Sequence, residues 1–441
     1  MELTEHQSFG KFLIVWYGQL ISTIGIGLTA FSLGVYAFEQ TSTATAVALI
    51  TLFTFLPNIV LRPIGGVLAD RYDRRTMMII GDLGSAIGIL FILSMIIIGS
   101  IELWHIYVGV AFSSVFSAIQ SPAYKASATD LLTKEQFSRG SGLLQLAESS
   151  KFLLSPIIAG ILLTITSIEV ILIINMLTFL IAILAVLVIR RSARVDRTGR
   201  EKKPWFTDLI EGWVEVTTNK GVLVLVIIIS IVTFYLGFLE TLIGPMILSF
   251  SDVRTLGMFQ SISAIGMLIS SLCIGIFTMT KKYASVLVVG LAMSGISFSL
   301  MGVSTNLSFI IFAGFLFLAS LPFVNMSADV LVRNNIANEK QGRVWGIIGI
   351  LSQLGFIVSY SLAGFLADHV FNPLLIEGGA LSSTVGSIIG VGPGRGIALL
   401  FIIGGVFVVI MAAITSRLKP IKLLEKGMEM VPAEPVGLMQ D

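Results

Sequence analysis

The sequence predicts an all-α membrane protein whose chain crosses the bilayer twelve times, in two pseudo-symmetric bundles of six helices. Three observations lead there. The 441 residues are 55% hydrophobic and 12% charged, with a mean hydropathy of +0.95, whereas a soluble domain is about 25% charged. The apolar residues gather in runs of about 20 or more, each long enough to cross a ~30 Å hydrocarbon core as a helix. The basic residues then fall almost wholly on one side of a twelve-span topology.

The first six spans are read at 12–38, 44–69, 76–99, 103–126, 137–164 and 168–189. The run from Phe12 to Phe38 is too long for the core of a cleavable signal and is expected to remain as a span. The second six are read at 222–248, 255–279, 284–303, 307–332, 343–367 and 396–416. An even count puts both termini on one face. Lys and Arg in short loops resist translocation. With the N-terminus in the cytoplasm, all but four of the 28 Lys and Arg lie in cytoplasmic segments or at their borders. Arg254 and Arg395 fall outside, and Arg62 and Lys151 sit within spans. A single missed span would invert every later loop, so the bias also supports the count.

The division into two bundles, 1–189 and 222–416, follows from the long basic segment 190–221 between them, with 417–441 as a cytoplasmic tail. Within this linker, "WFTDLIEGWVEV" has apolar residues at helical spacing and is expected to lie along the membrane surface. An internal repeat agrees. At a constant offset of 204, the segment from Glu135 matches the segment from Glu339 at Glu135, Arg139, Gly142, Phe152, Ser155, Ala159, Gly160 and Leu162. Spans five and eleven are therefore read as copies related by an axis along the membrane normal.

Several chemistries are not indicated. The one cysteine, Cys273, excludes an internal disulfide, and His6, His105 and His369 are scattered, so neither a metal site nor a cofactor is expected. There is no Ser-His-Asp set or pair of catalytic acids that would argue for an enzyme, and no nucleic-acid partner is expected. The glycines of 369–394 lack the Lys-Ser/Thr pair of a nucleotide loop. That long external segment is read as a flexible flap or a shallow re-entrant piece.

The stretch "GGVLADRYDRRTMM", Gly65 to Met78, packs five charges into Asp70 to Arg75, between spans two and three. Gly65 and Gly66 let a neighbouring helix approach, and Arg71, Arg74 and Arg75 hold the loop in the cytoplasm. Asp70 ends its span, where it is badly placed for its own helix dipole but well placed to accept from the N-terminus of another helix. An acid reaching a helix start in the other bundle would latch the two bundles on the inner side. Simple topological signalling would need the arginines but not Asp70 with its glycine spacing.

Gly66, Asp70, Arg71, Arg74 and Arg75 resemble the loop signature of the major facilitator superfamily, with Asp73 where many members have glycine. The "ADRYDRR" form, "WYGQLIS" at Trp16 and "FLPNIVLRPIGGVLADRYDRR" resemble its macrolide efflux permease and siderophore exporter branch. The resemblance implies a twelve-helix carrier with a central cavity, in which Asp70 faces the start of span eleven near Arg343. "SPIIAG", Ser155 to Gly160, resembles the antiporter motif of span five, with serine for the usual glycine before Pro156. It also reads as an ordinary proline bend.

Ionised side chains inside a bilayer need a partner or a task. Arg62 and Asp82 lie at like depth in the hairpin of spans two and three, roughly 10 to 12 Å in at 1.5 Å per residue. They are expected to pair, as a structural ion pair or a protonation switch. Glu148 and Lys151 are three apart on span five. Glu148 either carries the coupled proton or is neutralised by Lys151. Glu240, on span seven before Gly244 and Pro245, would receive a cationic substrate or serve the outer gate. The fold implied by the resemblance lines its cavity with spans one, four, seven and ten, which offer Gln19, Phe116, Gln120, Tyr235, Phe238, Phe323 and Asn325. Few charges and several aromatics suit a bulky amphiphile. The expectation is a monomeric bacterial cytoplasmic-membrane exporter that moves a macrolide-type small molecule outward against protons. A siderophore or lysolipid exporter on the same scaffold, or a receptor that kept the fold, are the alternatives.

Overall fold

The computed structural model describes residues 9–133, 136–190, 205–277 and 282–429. His6, Glu135, Lys281 and the basic part of the linker lie outside the described residues. Among the described residues, twelve helices are long and apolar enough to cross a membrane, in the expected order. The N-terminal bundle holds α1 (Phe9–Thr41), α2 (Ala44–Arg71), α3 (Arg74–Ile98), α4 (Leu103–Leu131), α5 (Phe137–Leu153), α6 (Ser155–Ile165) and α7 (Ile168–Arg190). A linker helix, α8 (Trp205–Thr218), leads to α9 (Lys220–Leu248), α10 (Val253–Ile276), α11 (Tyr283–Val303), α12 (Leu307–Asn335) and α13 (Asn338–Phe365). A π-helical turn (Leu366–Phe371), α14 (Asn372–Leu375), α15 (Gly386–Ile389), α16 (Arg395–Arg417) and α17 (Lys419–Glu429) complete the chain.

Helices are what lipid permits, because every backbone N–H and C=O must find its partner inside the span. Their starts are closed by short polar side chains: Asp73 accepts from the Thr76 amide at 2.9 Å, Asn219 from Gly221 at 3.1 Å, and Asp252 from Thr255 at 2.7 Å. That backbone donor holds the Asp252 carboxyl below the usual carboxylate range. Span five, expected as one helix over 137–164, is two helices end to end, α5 and α6. Pro156 has no N–H to offer the preceding turn, and the break falls at Leu154.

Within bundles, glycines replace the hydrophobic drive that lipid removes by letting backbones touch. At Gly88 of α3, a Cβ would lie 2.9 Å from the Ser113 backbone nitrogen of α4; at Gly295 of α11, 2.7 Å from the Gly405 carbonyl of α16. Outward-facing apolar residues such as Val188 (68% exposed) and Ile276 (73%) present a lipid-compatible belt.

The bundles touch unevenly. The end carrying α8 and α17 is termed the linker end, and the opposite one the far end. At the far end, α6 packs on α10, and a Cβ at Gly160 would be 3.1 Å from the Val253 carbonyl and 3.4 Å from the Gly257 Cα. There too α13 packs on α2, with Gly364 against the Thr45 backbone. At the linker end, Cβ atoms added to Gly66, Gly142, Gly275 or Gly346 would meet nothing within 4 Å. The long segment after span eleven folds back over the bundle, with Gly392 donating to the Leu375 carbonyl at 2.9 Å and Leu375, Ile389 and Leu399 forming a small core.

Gly88→Leu should overpack the α3–α4 contact, at about 1–3 kcal/mol, and lower the melting temperature of the detergent-solubilised protein. Gly142→Ala, made in open space, should not lower that temperature.

Candidate functional site

Helix α9 is stitched to α13 along its length. Ser230 Oγ donates to the Leu351 carbonyl at 3.2 Å and Thr233 Oγ1 to that of Ser352 at 2.7 Å, while Gly237 abuts Ser359. This brings Glu240 beside Tyr360, whose hydroxyl donates to Glu240 Oε2. Tyr360 is 1% exposed. Across the seam, Phe55 of α2 meets Tyr360 edge-on at 5.2 Å and Phe356 at 5.3 Å. The Lys151 ammonium of α5 bears on the Glu240 carboxylate electrostatically. Side chains of α2, α5, α9 and α13 thus converge on one carboxylate, and Glu240 keeps exposed surface despite its depth in the span.

The expected pairing of Arg62 with Asp82 is corrected. Arg62 is exposed, 3.5 Å from Ser121 Oγ. Asp82, 3% exposed, accepts instead from Gln19 Nε2 at 3.2 Å, and Gln19 Oε1 accepts from Gln120 Nε2 at 2.7 Å. Like depth in a hairpin does not fix azimuth: Gly81 and Gly84 seat α3 against Gln120 and Phe116 of α4 and turn Asp82 inward. Nor does an ion pair join the described Glu148 and Lys151. Glu148 is exposed and bears on Tyr124, and the Lys151 ammonium lies 5.7 Å from the Phe152 ring centroid.

Of the cavity candidates, Gln120 and Phe116 are half-buried, Phe323 is half-buried and Asn325 is exposed. Tyr235 and Phe238 are corrected. Tyr235 packs on Phe298 and Phe407 inside its own bundle, and Phe238 is 4% exposed against Phe234.

The charged loop divides by role. Arg74 clamps α3 to α4, with Nη1 2.6 Å from Asp130 Oδ1 and from the Ala126 carbonyl. Arg75, 7% exposed, donates to the Ile189 carbonyl at 2.7 Å and closes the C-terminus of α7. Asp73, the departure from the superfamily signature, caps α3. Gly65 rather than Gly66 accommodates a neighbour, α4. Asp70 and Arg71 are exposed at the linker end. Arg343 pairs with Glu211 of α8, and Lys340 with Glu215 at 2.8 Å. The linker helix is therefore strapped to the start of span eleven, with Val216 buried and Ile210, Trp213 and Val214 exposed.

The family model of the Major Facilitator Superfamily matches residues 15–360. The chain belongs to that superfamily. It is a multi-pass membrane transporter. Macrolide efflux protein A of Streptococcus pyogenes is 27% identical over 367 residues, 82% of this chain and 90% of that one. The uncharacterised MFS-type transporter YfiS of Bacillus subtilis is 27% identical over 362 residues, 80% and 85% of the two chains. Among solved structures, the nucleoside transporter NupG superposes with a TM-score of 0.70 at 13% identity, covering 93% of this chain and all of that one. A bacterial homologue of the lysosomal transporter Spinster, inward-facing and unoccupied, gives 0.69 at 14%, covering 97% and 100%.

Tyr360, Phe55 and Phe356 were not singled out from sequence, since aromatics in a span read as packing. Lys151→Met should strand the Glu240 carboxylate and lower the melting temperature, and Glu240→Gln added to it should restore part of the loss. The double-mutant cycle should give a coupling of about 0.5–3 kcal/mol; strictly additive losses would show that the two side chains do not interact.

Proposed function

We propose that this transporter exports an amphiphilic, drug-like small molecule of the macrolide type across a bacterial cytoplasmic membrane, in exchange for protons, by alternating access. The observation that carries the reading is the seat of Glu240: one deep carboxylate, open to the space between the bundles and held by Tyr360, faces Lys151 of the opposite bundle. A group so placed is offered to whichever side the seam opens, and its charge bears on both halves at once. The macrolide efflux relatives, similar over most of their length, support a macrolide-type substrate.

The bias of the basic residues supports a cytoplasmic linker end. On that reading the far-end contacts close the outer side, and the conformation is open inward. The moving units are residues 1–189 and 222–416, joined by 190–221, acting as a monomer. Glu148, exposed on α5, and the Asp82–Gln19–Gln120 chain are the other candidates for coupling. A proton entering through 100 mV releases about 2.3 kcal/mol, more than the ~1.4 kcal/mol needed for tenfold accumulation of a neutral substrate.

The test is transport in proteoliposomes with an imposed pH gradient and a labelled macrolide. Glu240→Gln should abolish uphill accumulation and keep downhill exchange. Unchanged uphill transport in that variant would move coupling to Glu148 or Asp82, and macrolide movement without any proton flux would contradict the antiport reading.

A further inference from the structure

The start of α2 is closed by a side chain from the other bundle. A helix begins with four N–H groups that no intrahelical carbonyl can reach. In α2, the Ala44 amide donates to Asp368 Oδ1 at 3.1 Å and the Thr45 amide to Asp368 Oδ2 at 2.8 Å. The Thr45 hydroxyl adds a bond to Asp368 Oδ2 at 2.7 Å, while Thr43 of the same chain segment takes only the Ala46 amide, at 3.4 Å. Asp368 lies in the π-helical turn Leu366–Phe371, near the C-terminal end of the continuous span Arg343–Leu375. Gly364, one turn earlier, sits on the Thr45 backbone and so brings Asp368 within reach of the start of α2, while Ala367 is fully buried.

These two antiparallel helices keep one register along their length. Thr45 meets Gly364 and Phe55 meets Phe356. Extended along both helices, the same pairing sets Gly66 against Gly346 and Asp70 against the turn from Gln341 to Arg343. Gly66 and Gly346 both stand in open space here. The two ends of the pair are therefore mirror arrangements. At the far end an acid near the end of span eleven grips the start of span two; at the linker end the acid near the end of span two, Asp70, stands in register with the start of span eleven.

We infer that Asp368 is the outer-gate latch of this transporter, the reciprocal of Asp70, and that α2 and α13 are locked at one end or the other by whichever acid has reached its helix start. The repeat sharpens this. Gly160, the counterpart of Gly364 at the offset of 204, makes the matching contact with α10, but the counterpart of Asp368 is Thr164, whose hydroxyl bonds to Ile161 of its own helix at 2.6 Å. The α6–α10 side slides on glycine alone, and Asp252 of α10 supplies its own cap. Both latches act on a single helix pair.

Distances between spin labels at Ser100 and Thr305, the far ends of the two bundles, test this in a Cys273→Ser background without any substrate, separately from the export reading. Asp368→Asn should raise the population with separated far ends at least about threefold, since a charged acceptor of three donors is lost. Thr45→Val, which removes one arm and no charge, should do so more weakly, and Asp368→Glu should restore the closed population. Asp70→Asn should shift the distribution the opposite way. Distributions for Asp368→Asn and Thr45→Val that superpose on that of the parent would overturn the latch while leaving the export proposal standing, and Thr45→Val alone decides the matter where Asp368→Asn fails to fold.

Discussion

The arrangement depends on one contact, the antiparallel packing of α2 on α13 across the seam. It combines a backbone requirement with a steric one. The first amides of α2 need acceptors that the helix cannot supply, and Asp368 supplies two of them from the other bundle. Gly364 lets the chains close to backbone distance so that the carboxylate can reach. A charged acceptor at a helix N-terminus also meets the favourable end of the macrodipole. The contact is local to a few side chains, which suits an interface that forms and breaks in the proposed alternating access.

Beneath it sits the aromatic and polar knot of Phe55, Phe356, Tyr360 and Glu240. The same two helices that close the far end thus contribute the roof over the deep carboxylate, and Lys151 faces it from α5. Opening the far end would pull Phe55 from Tyr360 and change what surrounds Glu240. That is a physical route by which the state of one carboxylate and the state of a gate bear on each other. The linker helix has a complementary place. By pairing Glu211 and Glu215 with Arg343 and Lys340, it is tied to the start of α13 and engages the cation that stands on Asp70's register.

The fold was legible because hydropathy and the basic-residue bias are properties of whole spans and survive errors of a few residues. The repeat was legible for the same reason, and it located Gly160 and Gly364, which carry the two far-end contacts. Side-chain partners were less so. Depth along a helix can be counted from sequence, but the azimuth of α3 is set by how Gly81 and Gly84 seat on α4, and this sent Asp82 to Gln19 rather than Arg62. Tyr235 and Phe238 were misread because a span that borders a cavity also has a face on its own bundle. Asp368 carried a signal that sequence reasoning used for Asp70 alone: an acid at the C-terminal end of a span, where its own dipole disfavours it.

The claim that α2 and α13 close at alternate ends is tested most directly by oxidative cross-linking in native membranes of a Gly66→Cys, Gly346→Cys pair in a Cys273→Ser background. These two positions face open space in the present conformation. The account predicts that the pair nevertheless forms a disulfide, and that its yield rises when Asp368→Asn frees the far end. A pair that never bonds under oxidation, with or without Asp368, would contradict it.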